Sequence, residues 1–197
     1  PASIASAGAS SPSGTTRQVA ARWLGFPVAK VTIGANANDA LARMIESGTL
    51  ERRDVIPTLS PSMDIQAPSN LERLLFELYG RNGDETRSRM NAFRAYGTLK
   101  LPAAATAELQ RQFSATSVDD AETLRVMQSV LAETGEMIDP HTAVAVAAAR
   151  RTKREHGQKT IVLATAHPAK FPEAVLRPNG RKPELPERLA DLMTRPE

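Results

Sequence analysis

Apolar positions fall into two alternating patterns along this chain, one with helical spacing and one in short β-branched runs. Thr16 to Leu24 reads as a short helix that Gly25 and Pro27 end, and Val28 to Ile33 is an apolar run of strand length. Asn38 or Asp39 is placed to cap the next helix, in which Leu41, Met44 and Ile45 share a face before Gly48 stops it. Val55 to Leu59 reads as a second strand. Two prolines and many hydroxyls make Ser60 to Asn70 a loop, after which Ser69 and Glu72 form a capping box. Leu71, Leu74, Leu75 and Leu78 then stripe one helical face.

From Gly83 to Gln112 the chain is rich in arginine and alanine, with helical stretches broken at Gly97 and Pro102, and reads as a peripheral helical insert. Phe113 to Val118 alternates like a short strand, and Ser117 with Asp120 forms another capping box ahead of a helical stripe at Val118, Ala121, Leu124, Met127 and Leu131. Asp139 and Pro140 suit the N-cap and first turn of a helix whose body, Ala143 to Ala149, is apolar on all sides and therefore buried. After Gly157, Thr160 to Ala164 reads as a central strand and Ala166 to Phe171 as the turn beyond its carboxyl end. Repeated alternation of helix and strand predicts a three-layer α/β fold with a mostly parallel sheet. Pro1 to Gly14, a Ser/Ala/Gly/Pro tract, is read as a flexible lead-in or as the edge left by a missing upstream domain, and 15–197 as the folded portion.

Composition narrows the classes. The 197 residues are 41% hydrophobic and 24% charged, ordinary for a folded domain, but only 4% are aromatic, which argues against a β-sandwich. With no cysteine, disulfides, thiolate zinc sites and cysteine nucleophiles are excluded, and a cytoplasmic origin is compatible. No apolar stretch approaches the roughly 20 residues that span a bilayer, so a soluble chain without a membrane partner is expected. A net charge of +3 is too small to demand a nucleic-acid partner.

In open parallel sheets ligands gather outside the carboxyl ends of strands, which directs attention to Leu163-Ala164-Thr165-Ala166-His167-Pro168. Alanines on either side of Thr165 leave room for a planar ring against its hydroxyl; equally, Thr165 could cap a helix and His167 steady a turn. Asp139 and His141 at i and i+2 do not face one another as metal ligands would, and capping accounts for Asp139. Arg150, Arg151, Lys153 and Arg154 complement a helix dipole without requiring an anion. No glycine-flanked nucleophilic serine and no Walker-type phosphate loop is present.

Four segments in order carry a more specific signal: Ala35-Asn36-Ala37-Asn38-Asp39-Ala40-Leu41-Ala42-Arg43, Ser60-Pro61-Ser62-Met63-Asp64-Ile65-Gln66 running on through Asn70 to Glu77, Ile138-Asp139-Pro140-His141-Thr142-Ala143-Val144, and Leu163 to Phe171. Together they closely resemble the threonine synthases of bacteria and yeast, over roughly residues 17 to 176 and in the C-terminal portion of that family. The resemblance implies a fold type II enzyme that uses pyridoxal phosphate to convert O-phosphohomoserine and water to threonine and phosphate. It places Thr165 against the pyridine nitrogen of the cofactor.

The resemblance also sets limits. The lysine that anchors the cofactor lies in the family's N-terminal half, and none of Lys30, Lys100, Lys153, Lys159, Lys170 and Lys182 sits in the family's phenylalanine-lysine-aspartate setting. No residue here is therefore assigned as catalytic, and the isolated chain is expected to be inactive. Where the family has a glycine-asparagine-phenylalanine-glycine phosphate loop, this chain has Ser10-Ser11-Pro12-Ser13-Gly14-Thr15-Thr16. Ser11, Ser13, Gly14 and Thr15 are the candidates for the cofactor phosphate, since N–H groups at a helix start, aided by hydroxyls, bind anions; a linker role is the other reading. Two functions from different classes stay open: part of an enzyme, associating with the family's N-terminal half, or a non-catalytic, truncated or diverged paralogue acting as a binding module.

Overall fold

The computed structural model describes residues 2–7, 21, 24–68, 70–153 and 157–191. Its centre is a sheet of four strands, β1 (Ala2–Ala7), β2 (Val28–Ala35), β5 (Phe113–Ser117) and β6 (Thr160–Leu163), in the order β5-β2-β1-β6. Every pairing is parallel, as the alternation of elements requires. A separate antiparallel pair, β3 (Thr49–Glu51) with β4 (Thr98–Lys100), lies outside this sheet.

Period-two geometry sends alternate side chains of β2 to opposite faces, and both faces are covered. Val31 and Ile33 join a core built with α1 (Ala40–Ser47), α2 (Leu71–Leu78), α3 (Gly83–Tyr96) and α4 (Ala103–Gln112). On the other face Gly34 lies against α6 (Pro140–Arg151), which packs with α5 (Asp120–Thr134) and α7 (Pro172–Asn179) around Val118, Met127, Val144 and Val175. Helices, sheet and helices make three layers. Among the described residues no helix is long and apolar enough to cross a membrane.

Several elements differ from expectation. Residues 2–7, read as part of a flexible lead-in over 1–14, form β1, hydrogen-bonded to β2 on one side and β6 on the other, with Ala5 fully buried. Thr160–Leu163, expected as a central strand, is the outermost strand on its side of the described sheet, and Ile161 is exposed. Val55 to Leu59 is not a strand; its backbone bonds to side chains, Asn38 taking both the N–H and the carbonyl of Ile56 and Asp64 taking the N–H of Thr58. Residues 83–112, expected at the periphery, supply buried Phe93 and Leu109 to the first core. The cap of α5 is Asp119, which accepts the Glu122 N–H at 2.7 Å, rather than Ser117 with Asp120. Helix α2 begins at Leu71 with Asn70 at its N-cap, and Ser69 of the expected capping box lies outside the described residues. The helix expected over 16–24 is described only at 21 and 24.

Candidate functional site at the carboxyl edge of the sheet

Because β2, β5 and β6 run in parallel, their exits at Asn36, Val118 and Ala164 lie on one edge of the sheet. The first exit is clamped at once: the Val118 N–H donates to the Ala35 carbonyl at 2.9 Å and the Ser117 hydroxyl to the Asn36 carbonyl at 3.0 Å. Asn36, 1% exposed, then becomes the hub of a polar cluster. Its amide nitrogen donates to Asp64 Oδ1 at 2.8 Å and to Thr58 Oγ1 at 2.7 Å, and its carbonyl oxygen accepts the Asn38 N–H at 2.9 Å. Asp64 also accepts from the Thr58 hydroxyl at 2.6 Å and from Asn38 at 3.0 Å. The cluster folds the 58–66 loop over the strand exits, and Asp120 on α5 holds it from the far side through the Leu59 N–H at 3.2 Å. Buried polar groups persist when they satisfy one another, as these do.

Helix α6 points its N-terminus at the same edge. Asp139, fully buried, caps it, accepting the N–H of His141 at 2.9 Å and of Thr142 at 3.3 Å, and the Thr142 hydroxyl donates to its second oxygen. Against the expectation from their i, i+2 spacing, Asp139 and His141 do face one another: the imidazole lies 2.7 Å from Asp139 Oδ1 through Nδ1, while Nε2 receives the Ser62 N–H at 3.2 Å. A backbone N–H can only donate, so Nε2 carries no proton and the proton sits on Nδ1, facing the carboxylate. The Phe171 ring packs on the same imidazole with centroids 4.5 Å apart. His141 thus touches both the 58–66 loop and the turn after β6.

That turn holds Thr165. It lies two residues past Leu163, half-buried, between Ala164 and Ala166, and its hydroxyl has no hydrogen-bond partner among the described residues. His167 caps the short 3-10 turn Pro168–Lys170 by accepting the Ala169 N–H at 3.2 Å, the turn role open to it from sequence. Ser11, Ser13, Gly14 and Thr15 lie outside the described residues. Of the six lysines, five are exposed and Lys30 is half-buried, so none is desolvated in the way that activates a lysine. No group of metal-ligating side chains occurs among the described residues. Reasoning from single residues missed the Asn36 hub and the histidine, although both stand in the four segments singled out above.

A family model described as "Threonine synthase, C-terminal" matches residues 142–197. The threonine synthase of Pseudomonas aeruginosa is 42% identical over 178 residues, covering 90% of this chain and 38% of that protein. That of Saccharomyces cerevisiae is 34% identical over 198 residues, covering 88% of this chain and 38% of its own length. Among solved structures, the pyridoxal phosphate-bound threonine synthase of Brucella melitensis superposes with a TM-score of 0.90 at 40% identity, covering 100% of this chain and 42% of that one. The yeast threonine synthase gives 0.88 at 28% identity, covering 100% and 43%. A parallel sheet between helices, with its polar loops gathered on one edge, is here the fold type II α/β architecture. Within that class the chain is similar to the carboxyl-terminal portion of the threonine synthases. It spans 38% of the length of those two relatives.

Proposed function

We propose that this chain provides the carboxyl-terminal wall of a pyridoxal phosphate site in an enzyme that converts O-phosphohomoserine and water to threonine and phosphate. One observation carries the reading: four segments far apart in sequence, 35–43, 60–77, 138–144 and 163–171, meet at the carboxyl edge of one sheet, and the hydroxyl of Thr165, without a partner among the described residues, stands just past the end of β6. The residues present fit the group. Thr165 would meet the ring nitrogen, and a neutral hydroxyl, unlike a carboxylate, does not hold that nitrogen protonated. Strand β1 ends at Ala7, which pairs with Gly34 beside the same edge, and Ser11, Ser13, Gly14 and Thr15 are the proposed donors to the cofactor phosphate on chemical grounds alone, since N–H groups and hydroxyls bind anions. When bound, pyridoxal phosphate supplies an electron sink for negative charge created beside it. This chain's part is to hold the ring, keep the Asn36 loop rigid over it and exclude water on this side.

The covalent anchor and the proton-transferring lysine are contributed by sequence other than these 197 residues, because the lysines here are exposed or half-buried and differently flanked. Incubated with O-phosphohomoserine and pyridoxal phosphate, the chain releases no phosphate above background; a clear catalytic rate would refute this assignment. Titrated with pyridoxal phosphate, it gives a saturable absorbance change, which Thr165→Val weakens about tenfold, the scale of one lost hydrogen bond to a desolvated group. Equal affinity in the two proteins removes Thr165 from the site.

A further inference from the structure

The Asp139–His141 pair is the most deeply buried ionisable group at this edge, at 0% and 4% exposure, and nothing proposed so far uses it. A leucine would fill the same space, so packing does not explain an imidazole there. Three contacts do. Nδ1 donates to Asp139 Oδ1 at 2.7 Å, Nε2 accepts the Ser62 N–H at 3.2 Å, and the ring rests on Phe171 at 4.5 Å between centroids. Ser62 stands in the loop that Asn36 and Asp64 fix, while Phe171 closes the turn that begins just after Thr165, its N–H bonded to the Pro168 carbonyl at 2.9 Å. Met63 of the loop and Val175 of α7 belong to one apolar core, and the imidazole adds a link with a hydrogen bond on the loop side and a ring contact on the turn side.

We propose that His141 is a positioning residue: kept in its Nδ1–H tautomer by Asp139, it accepts the Ser62 N–H and supports Phe171, and so sets the separation between the 58–66 loop and the turn that presents Thr165. This rests on the pyridoxal phosphate reading only for its last consequence, the affinity for the ring. Asp139 acts twice, capping α6 and selecting the tautomer; the other tautomer would set an N–H against the Ser62 N–H, and the loop would move away.

The test combines nitrogen-15 NMR of the imidazoles with ligand titration on the full chain. The three histidines, His141, His156 and His167, are separated by comparing wild type with His141→Gln. The expected result is an Nε2 of His141 without a proton, coupled to a hydrogen-bonded Ser62 amide. In His141→Leu the amide signals of 60–64 and of 165–171 shift together, and the dissociation constant for pyridoxal phosphate rises about tenfold. His141→Gln, whose carbonyl oxygen can replace Nε2 as acceptor, restores the affinity to within about threefold of wild type. A protonated Nε2 in wild type, an unmoved 165–171 turn in His141→Leu, or equal affinities for Leu and Gln variants each overturn the proposal. Absence of any saturable binding to wild type overturns the cofactor reading, and with it the affinity role, while the tautomer and the paired shifts still report separately on the link.

Discussion

Asn36 occupies a position that few side chains could fill. Its NH2 group must donate to Asp64 and Thr58 while its carbonyl oxygen accepts from Asn38, a split of donor and acceptor that only a primary amide provides. Asn36→Ala leaves acceptors without a donor in a desolvated place, and a cost of about 1–3 kcal/mol follows, measurable by urea unfolding. Asn36→Asp is the sharper variant. It sets a second carboxylate at the 2.8 Å position now occupied by the Asn36 amide nitrogen beside Asp64. Repulsion raises the folded-state pKa of one of the two above its unfolded value, so the stability present at low pH is lost as pH rises through that raised pKa. Asn36→Asp is therefore less stable than Asn36→Ala at pH 7, and the gap closes as pH falls toward the carboxylate range; a gap that does not change with pH would rule out this account of the hub.

At the level of elements, β2 and α6 approach each other so closely that only a glycine fits between them at residue 34. A Cβ at Gly34 would stand 2.8 Å from the Val144 carbonyl and 3.0 Å from its Cγ1. Backbone cannot turn aside as a flexible side chain can, so Gly34→Ala forces α6 off the sheet and costs about 1–3 kcal/mol, with loss of ligand affinity because α6 carries His141. A thermal melt and the pyridoxal phosphate titration check both effects; a variant as stable as wild type would mean that α6 yields freely. Legibility in the sequence followed how each element makes its bonds. Val28–Ala35, with Val31 and Ile33 buried, and the leucine stripe of α2 declare themselves because their burial is apolar. Ala2–Ala7 does not, since a strand that is alanine and serine apart from Ile4 has nearly the composition of a linker. Val55 to Leu59 has a strand's composition, yet both large side chains at its start are exposed and side-chain amides bond its backbone. The cap of α5 went to Asp119 because Ser117 is still in β5 and its hydroxyl is given to Asn36. That Thr165 stands just past a strand was legible in the sequence, whereas the link through His141 exists only in three dimensions.

Across the whole molecule, the two cores lie on opposite faces of a single sheet, and neither can be complete without it. Ile33 faces one core and Gly34, the next residue, faces the other. Loss of either set of helices would expose one face of β1 and β2, so unfolding of one side removes the support of the other, and a single cooperative transition is expected. Two conservative truncations test this without approaching the total stability. Ile33→Val in the first core costs about 0.5–1.5 kcal/mol. Val175→Ala in the second, at about 0.8 kcal/mol per buried methylene-sized group, costs about 1.5 kcal/mol. Both residues are buried, at 2% and 0% exposure, and belong to separate clusters. Each variant shifts the same denaturation curve to lower urea with its slope unchanged, and the double variant shifts it by the sum within about 0.5 kcal/mol. Two separate transitions, each answering to only one of the substitutions, would mean that the sheet does not couple its faces. In that case the site at its carboxyl edge, assembled from β2 and the 58–66 loop on one hand and from α6 and the Thr165 turn on the other, could lose one wall while keeping the other.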